Sequence, residues 1–340
     1  MMRNFGSLAT HRGFLGKPPK KGDIRPFPMA PAKVYATQVA GLARRLKAIG
    51  CKNVVLGLSG GLDSTLALLV AVEAFAKLGY DRSGIRVCTM PGFGTSRRTK
   101  GNAELLCEGL GLAVETIPIV RSVRQHLRDI GHDGKTQDIT YENAQARMRT
   151  LILMDKANMT DGIVLGTGDL SEIALGWCTY NGDHMSMFGV NANVPKTMVR
   201  KVCRWWAEHA AGRVNGAPDS AAAAMAVLDI IATPVSPELK KGQVTEDTIG
   251  PYELHDFFLW NFIMNEMGPA DLLRAARRYF DAEAFPQPLV ERTLQTFMRR
   301  FFTQAFKRNC QPDGIRVFPF ELSLRGWWIP SDLGVVKFPT

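Results

Sequence analysis

One stretch, VVLGLSGGLDSTLALLV at residues 54–70, constrains the fold of this chain more than any other. A short apolar run meets Ser59, Gly60 and Gly61, then resumes as a long apolar segment, so a buried strand has to turn sharply into a buried helix. The two glycines remove side chains where the backbone turns and where a ligand can approach it. The helix that follows aims free N–H groups and its positive dipole end at the same spot. This arrangement is an anion cradle. It has neither the spacing nor the lysine of the G-x-x-x-x-G-K-[ST] phosphate loop. Instead Ser59, Ser64 and Thr65 offer hydroxyls and Asp63 a carboxylate, which suits a pyrophosphate that is held and released beside a Mg²⁺ ion. Read alone, the same residues also fit a plain turn followed by a helix cap.

The surrounding pattern places that cradle. AKVYATQVAGLARRLKAIG, from residue 33, has helical spacing and a C-capping Gly50. Strands are then expected at 53–58, 85–90, 113–119 and 162–166, and helices at 63–78, 99–110, about 140–160 and 169–175. Short apolar strands alternating with helices imply an α/β fold: a doubly wound parallel sheet with helices on both faces. Ligands bind such sheets beyond the carboxyl ends of the strands, where loops 59–63, 91–98 and 166–169 would meet. Further helices are expected over PKTMVRKVCRWWAEHAAG, with Pro195 suited to its first turn, and at 219–231, 253–266, 269–282 and 288–306. Residues 232–252, with three prolines, read as a mobile loop, and GIRVFPFELSLRGWWIP as short strands or an extended packing tail. Residues 1–32 read as an extended arm or linker. The main unit would then run 33–340, with its α/β core about 33–232 and the loop and C-terminal helices about 233–340.

Composition excludes some classes. No apolar run reaches the roughly 18–20 uncharged residues of a membrane span, and the first residues lack the apolar core of a signal peptide. The six cysteines show no metal-like spacing and no C-x-x-C pair, so neither zinc nor a disulfide framework is expected, and reduced thiols suit a cytoplasmic protein. With 42 basic against 32 acidic residues the formal charge is +10, which fits an anionic partner, either nucleic acid or a phosphorylated small molecule.

The SGGLDS loop resembles the S-G-G-x-D-S motif of the ATP pyrophosphatases, the PP-loop family, whose members cleave ATP between its α and β phosphates. A second stretch, GIVLGTGDLSEIALGWCTYNGDHMSMFGVNANVPKT at 162–197, resembles the hallmark segment of NAD⁺ synthetases. MPGFGTSRRT at 90–99 and NAQARMRT at 143–150 are similar to further segments of that family. The resemblance covers about residues 33–330. It implies an adenine-nucleotide-hydrolase-like fold with additional C-terminal helices, and an enzyme that converts nicotinate adenine dinucleotide (deamido-NAD⁺) to NAD⁺. ATP would adenylate the nicotinate carboxylate with loss of pyrophosphate, and ammonia would then displace AMP.

The same resemblance implies roles residue by residue. Gly57, Leu58, Ser59, Gly60, Gly61, Leu62, Asp63 and Ser64 match the ATP loop, with Thr167, Lys196 and Ser236 as further ATP contacts. Asp63 and Glu172 match the Mg²⁺ ligands. Arg147, Tyr180, Asp183 and Lys307 match deamido-NAD⁺ contacts, Asp183 also standing where an aspartate helps deprotonate ammonium. Lys196 would neutralise charge developing on the phosphates, and the 232–252 loop would close over the adenylate and exclude water. The wording is closest to the synthetase half of the larger glutamine-dependent enzymes. Tyr180 and Phe306 depart from the single-domain form, which often has lysine and histidine there. Without the amidase half, the implied nitrogen source is free ammonia or a separate glutaminase. A homodimer is implied, and neither a nucleic-acid nor a membrane partner. Two other readings stay open: a PP-loop ligase acting on tRNA, which the net charge would accommodate, and a catalytically silent nucleotide-binding protein. Trp205, Trp206, Trp327 and Trp328 read as packing residues rather than base-stacking ones.

Overall fold

The computed structural model describes residues 23–210, 217–236, 238–240 and 244–327. Five parallel strands form one sheet: β1 (Val54–Gly57), β2 (Ile85–Thr89), β3 (Val114–Thr116), β4 (Ile163–Gly166) and β5 (Phe188–Gly189), in the order β3-β2-β1-β4-β5. Val54 pairs with Ile85 on one side and Ile163 on the other. The chain therefore winds outward from β1 to β3, then crosses back to β4. The reversal between β1 and β4 is the switch point at which such sheets bind ligands.

Helix α1 (Pro31–Ile49) precedes β1 and ends on Gly50 in the left-handed conformation, as its spacing predicts. Helix α2 (Leu62–Leu78) follows the glycine turn, and twelve of its residues are buried. A helix apolar on nearly every face must be covered on nearly every face. The layer that covers it includes α1 and α7 (Lys196–Trp205), while α3 (Arg97–Leu110) packs with α8 (Ser220–Ile231). Helices α4 (Val120–Asp129) and α5 (Ile139–Met159) lie between β3 and β4, and the six-residue α6 (Leu170–Leu175) follows β4. Four more helices complete the fold: α10 (Tyr252–Met264), α11 (Pro269–Tyr279), α12 (Gln287–Thr303) and α13 (Ala305–Asn309). The short α9 (Thr245–Ile249) interrupts the stretch read from sequence as loop. One apolar cluster runs from Val54 through α2 to Phe297 and Phe320, so the C-terminal helices share the core of the sheet. Among the described residues no helix is long and apolar enough to cross a membrane.

Three expectations need correction. Helix α4 was not foreseen between β3 and α5; it buries only Val123 and Leu127 and exposes its arginines, so its apolar signal is two residues wide. Residues 23–30 are not a free arm. Phe27 is 3% exposed and packs tilted against Trp260 and edge-on against Phe318, each at 4.9 Å between centroids, and Asn261 and Asn265 donate to the Ile24 and Asp23 carbonyls. Residues 1–22 of the expected arm lie outside the described residues. Pro195 stands one position before α7 rather than in its first turn. The C-terminal tail is extended, as read: it pairs with β5 through Gly314 and buries Ile315, Phe318, Phe320 and Leu322. Trp206 is buried and Trp205 partly so; Trp327 packs on the core, and Trp328 lies outside the described residues.

Candidate active site

The turn after β1 is built by its own side chains. Gly60 has φ +81°, and a Cβ there would stand 2.3 Å from the Thr99 carbonyl oxygen. Both facts demand glycine. The Ser59 hydroxyl accepts from Gly61 N–H at 3.1 Å, and the Ser64 hydroxyl accepts from Ser59 N–H at 3.2 Å while donating to the Gly61 carbonyl at 3.1 Å. Ser64 and Thr65 are buried. Of the hydroxyls read as phosphate ligands, only Ser59 is exposed at the loop; that of Ser64 holds the cradle together, and that of Thr65 is buried without a hydrogen-bond partner among the described residues. Leu58 and Leu62 put their side chains into the core, leaving their main chain to the loop.

Asn191, fully buried and not foreseen, ties this turn to the one after β4. Its amide donates to the Asp63 carbonyl at 2.8 Å and the Thr167 carbonyl at 3.0 Å, and its oxygen accepts from Gln38 on α1 at 3.0 Å. A single amide therefore sets the distance between the two loops flanking the switch point.

Below those loops a buried ammonium meets one buried and two partly buried carboxylates. The Lys196 ammonium stands 2.5 Å from Asp63 Oδ2, 2.9 Å from Asp169 Oδ2 and 2.9 Å from Glu172 Oε1. Burial alone would lower the pKa of this ammonium, but the carboxylates of Asp169, Asp63 and Glu172 together hold it well above the ordinary lysine range. Burial raises the carboxyls of Asp169 and Glu172, against the pull of Lys196. Asp169 was missed in the sequence, although GDLSE carries its signal: an aspartate three residues before a glutamate at a helix start. Its Oδ1 accepts from Glu172 N–H at 2.8 Å while its other oxygen meets Lys196.

A cavity of about 930 Å³ opens above this group and reaches the loop after α6. Gly57, Leu58, Ser59, Gly60, Gly61, Leu62, Asp63, Ser64, Thr167, Glu172 and Ser236 line it, as do Arg147, Tyr180, Asp183 and Lys307. Lys196 is the exception: it is 1% exposed and sits behind the acids rather than on the wall.

The far end of the cavity is built differently. Arg147, exposed on α5, donates to the Tyr180 carbonyl at 3.2 Å, and the Tyr180 ring stacks on His184 at 5.4 Å and leans on Phe306 at 5.6 Å. Lys307, half-buried with its pKa lowered by that burial, gives its ammonium to the carbonyls of Gly176 and Cys178 at 2.8 and 2.6 Å. Arg300 and Arg308 bind the neighbouring carbonyls of Leu175, Gly176 and Ala174, so three cations hold the C-terminal end of α6. The Asp183 side chain is accessible to water yet ringed by protein at the cavity wall. The surrounding protein raises the pKa of this carboxyl, and Thr179 N–H, donating at 2.7 Å, opposes that rise. Over the cavity the described part of the 232–252 loop is latched: Thr99 donates to Glu238 at 2.5 Å, Gln145 to the Leu239 carbonyl at 3.0 Å, and Lys240 pairs with Glu142.

The sequence profile of the NAD synthase family matches residues 34–287. The chain belongs to the NAD synthase family. It is 38% identical to the glutamine-dependent NAD(+) synthetase of Mycobacterium tuberculosis over 92% of its own length and 50% of the relative's, and 31% identical to that of Thermotoga maritima over 73% and 41%. The chain thus spans about half the length of the curated relatives it matches. Among solved structures, the glutamine-dependent NAD(+) synthetase of Cytophaga hutchinsonii superposes with a TM-score of 0.70 at 17% identity, covering 88% of this chain and 54% of that one. The NH3-dependent NAD synthetase of Campylobacter jejuni gives 0.58 at 20%, covering 82% and 96%. These show the shared fold.

Proposed function

We propose that this chain amidates deamido-NAD⁺ to NAD⁺ in two steps, consuming ATP and releasing pyrophosphate and AMP. In the first, a nicotinate carboxylate oxygen attacks the α-phosphorus of ATP and pyrophosphate leaves. In the second, ammonia attacks the acyl adenylate, AMP leaves with the carboxylate oxygen, and a proton is shed. Activation is required because oxide is a far poorer leaving group than AMP. One cavity joining the glycine turn to the 176–183 loop carries this reading: its volume admits ATP and a second nucleotide together, which turns the attack into an oriented one.

The residues divide the work. The free N–H groups at the start of α2 cradle the phosphates, while Ser59 and Gly61 spend theirs on holding the turn. Asp63 and Glu172 face the cavity, and buried Asp63 Oδ1 has no hydrogen-bond partner. Carboxylate oxygens of Asp63, Asp169 and Glu172 lie within 4.8 Å of one another, a hard-oxygen set that fits Mg²⁺. Asp63 and Glu172 would hold the ion, which when bound offsets negative charge on the phosphates. Lys196 balances the same acids from behind. Arg147, Tyr180 and Lys307 bind the dinucleotide, and Asp183, its carboxyl raised by enclosure, accepts the proton from ammonium. The 232–252 loop shields the adenylate from water, residues 33–340 act as one catalytic unit, and ammonia arrives free or from a glutaminase. Exposed Leu151 and Met159 on α5 support a homodimer, and six free thiols suit the cytoplasm.

Incubation with deamido-NAD⁺, ATP, Mg²⁺ and ammonium, followed by chromatography, tests the proposal. NAD⁺ and AMP in equal amounts are expected. ATP turnover that requires tRNA, or ATP binding with no turnover, would replace it with one of the other two readings.

A further inference from the structure

Helix α7 begins at Lys196, and the residue before it, Pro195, has no side chain that can cap the helix. Its first two N–H groups are nevertheless taken. Lys196 N–H donates to Ser171 Oγ at 2.8 Å, the Ser171 hydroxyl donates onward to Asp256 Oδ1, and Thr197 N–H donates to Asp256 Oδ2 at 2.9 Å. Asp256 is 1% exposed on α10 among Phe257, Phe258 and Leu259, where a carboxylate is costly unless its oxygens are satisfied. Among the described residues it forms no ion pair and does not line the cavity, so those donors account for its presence. One turn earlier on the same helix, Tyr252 places its ring 5.3 Å from the Lys196 ammonium. Helix α10 thus holds Lys196 at both ends, and Ser171 sits between Asp169 and Glu172, two of the acids that the ammonium meets.

We propose that Asp256 is a positioning residue: through Ser171 and the first turn of α7 it fixes the main chain of Lys196, so that a flexible side chain delivers its ammonium to Asp63, Asp169 and Glu172 in one geometry. It touches no substrate. The inference rests on the ATP-site reading above.

The test is a double-mutant cycle of Asp256→Asn and Lys196→Gln in the full chain. It is read both as turnover and as ATP affinity by equilibrium dialysis without an acyl substrate. Asp256→Asn alone should weaken ATP binding at least fivefold and lower kcat about tenfold, with the deamido-NAD⁺ KM within twofold. Added to Lys196→Gln, it should change either quantity less than twofold. Equal losses in both backgrounds, or wild-type behaviour of Asp256→Asn, would overturn the proposal. If Asp256→Asn does not fold, Ser171→Ala cuts the bond to Lys196 N–H and should show the same non-additivity. A wild-type protein that binds ATP but makes no NAD⁺ defeats the functional reading, while the affinity cycle still decides this one.

Discussion

The two ends of the large cavity are held by opposite means. At the end under the glycine turn, a buried ammonium meets three carboxylates and a buried amide bolts two loops together. At the other, exposed Arg147 and the partly open Tyr180 ring rest on main-chain carbonyls and on each other. The first end is rigid because each charge there depends on the rest; a missing partner leaves a buried charge unpaired. The rim of the second, Arg147 and Tyr180, stands at the surface and can adjust at little cost, although Arg308 behind it is fully buried. A triphosphate is bound the same way each time, while a long dinucleotide has to thread in and leave. The contrast predicts that damage to the first end costs both stability and chemistry, whereas damage to the second costs affinity alone.

Lys196→Gln should break the first end hardest. Three uncompensated acids should cost about 3–5 kcal/mol of stability, read as urea midpoint, and lower kcat more than a hundredfold. Added Mg²⁺ should recover part of the stability, and a variant as stable as wild type would erase the contrast. The floor beneath that end should also be acid-sensitive. His255 on α10 is buried, which lowers its pKa from 6.5 to about 4. A depressed folded pKa gives stability that is complete above pH 6.5 and lost as pH falls through about 4, roughly 3 kcal/mol in all. His255→Asn should flatten the stability profile over that window; an unchanged acid limb would remove this histidine from the account. Asp256, raised by burial to about 6, acts with the opposite sign, its contribution fading as pH rises from 3.8 through 6.

Gly60→Ala should cost about 1–3 kcal/mol, because the left-handed backbone and the Thr99 carbonyl both oppose a side chain. It should also weaken ATP binding at least tenfold by calorimetry. At the far end, Arg147→Ala should raise the deamido-NAD⁺ KM about tenfold and move stability by less than about 0.5 kcal/mol, as surface changes do. A large loss of stability there would show that this end too is a fixed framework.

The features legible in the sequence were the local ones. SGGLDS announces its turn because Gly60 is demanded by its own φ and by one neighbouring carbonyl, and the alternation of strand and helix gave β1, β2 and β4 within a residue or two. The stretch 162–197 marked both ends of the cavity. Side chains that act across the fold were not visible. Asn191 joins residues more than a hundred positions apart, and Asp256 reaches from α10 to the starts of α6 and α7; neither carries a local signal. Strand β5 is two residues long and leaves no period to read. Lys196 was recognisable as a site residue, but its burial behind the acids follows only from Asp169, whose capping role disguised it as an ordinary helix start.

The claim on which all of this depends is that the carboxylate of deamido-NAD⁺ is activated as an adenylate over the glycine turn. Turnover of substrate carrying ¹⁸O in that carboxylate, with mass spectrometry of the products, tests it directly. The account predicts one ¹⁸O in AMP for each NAD⁺ formed and none in pyrophosphate. Label in pyrophosphate, label in phosphate with ATP spent to ADP, or AMP without label would contradict it.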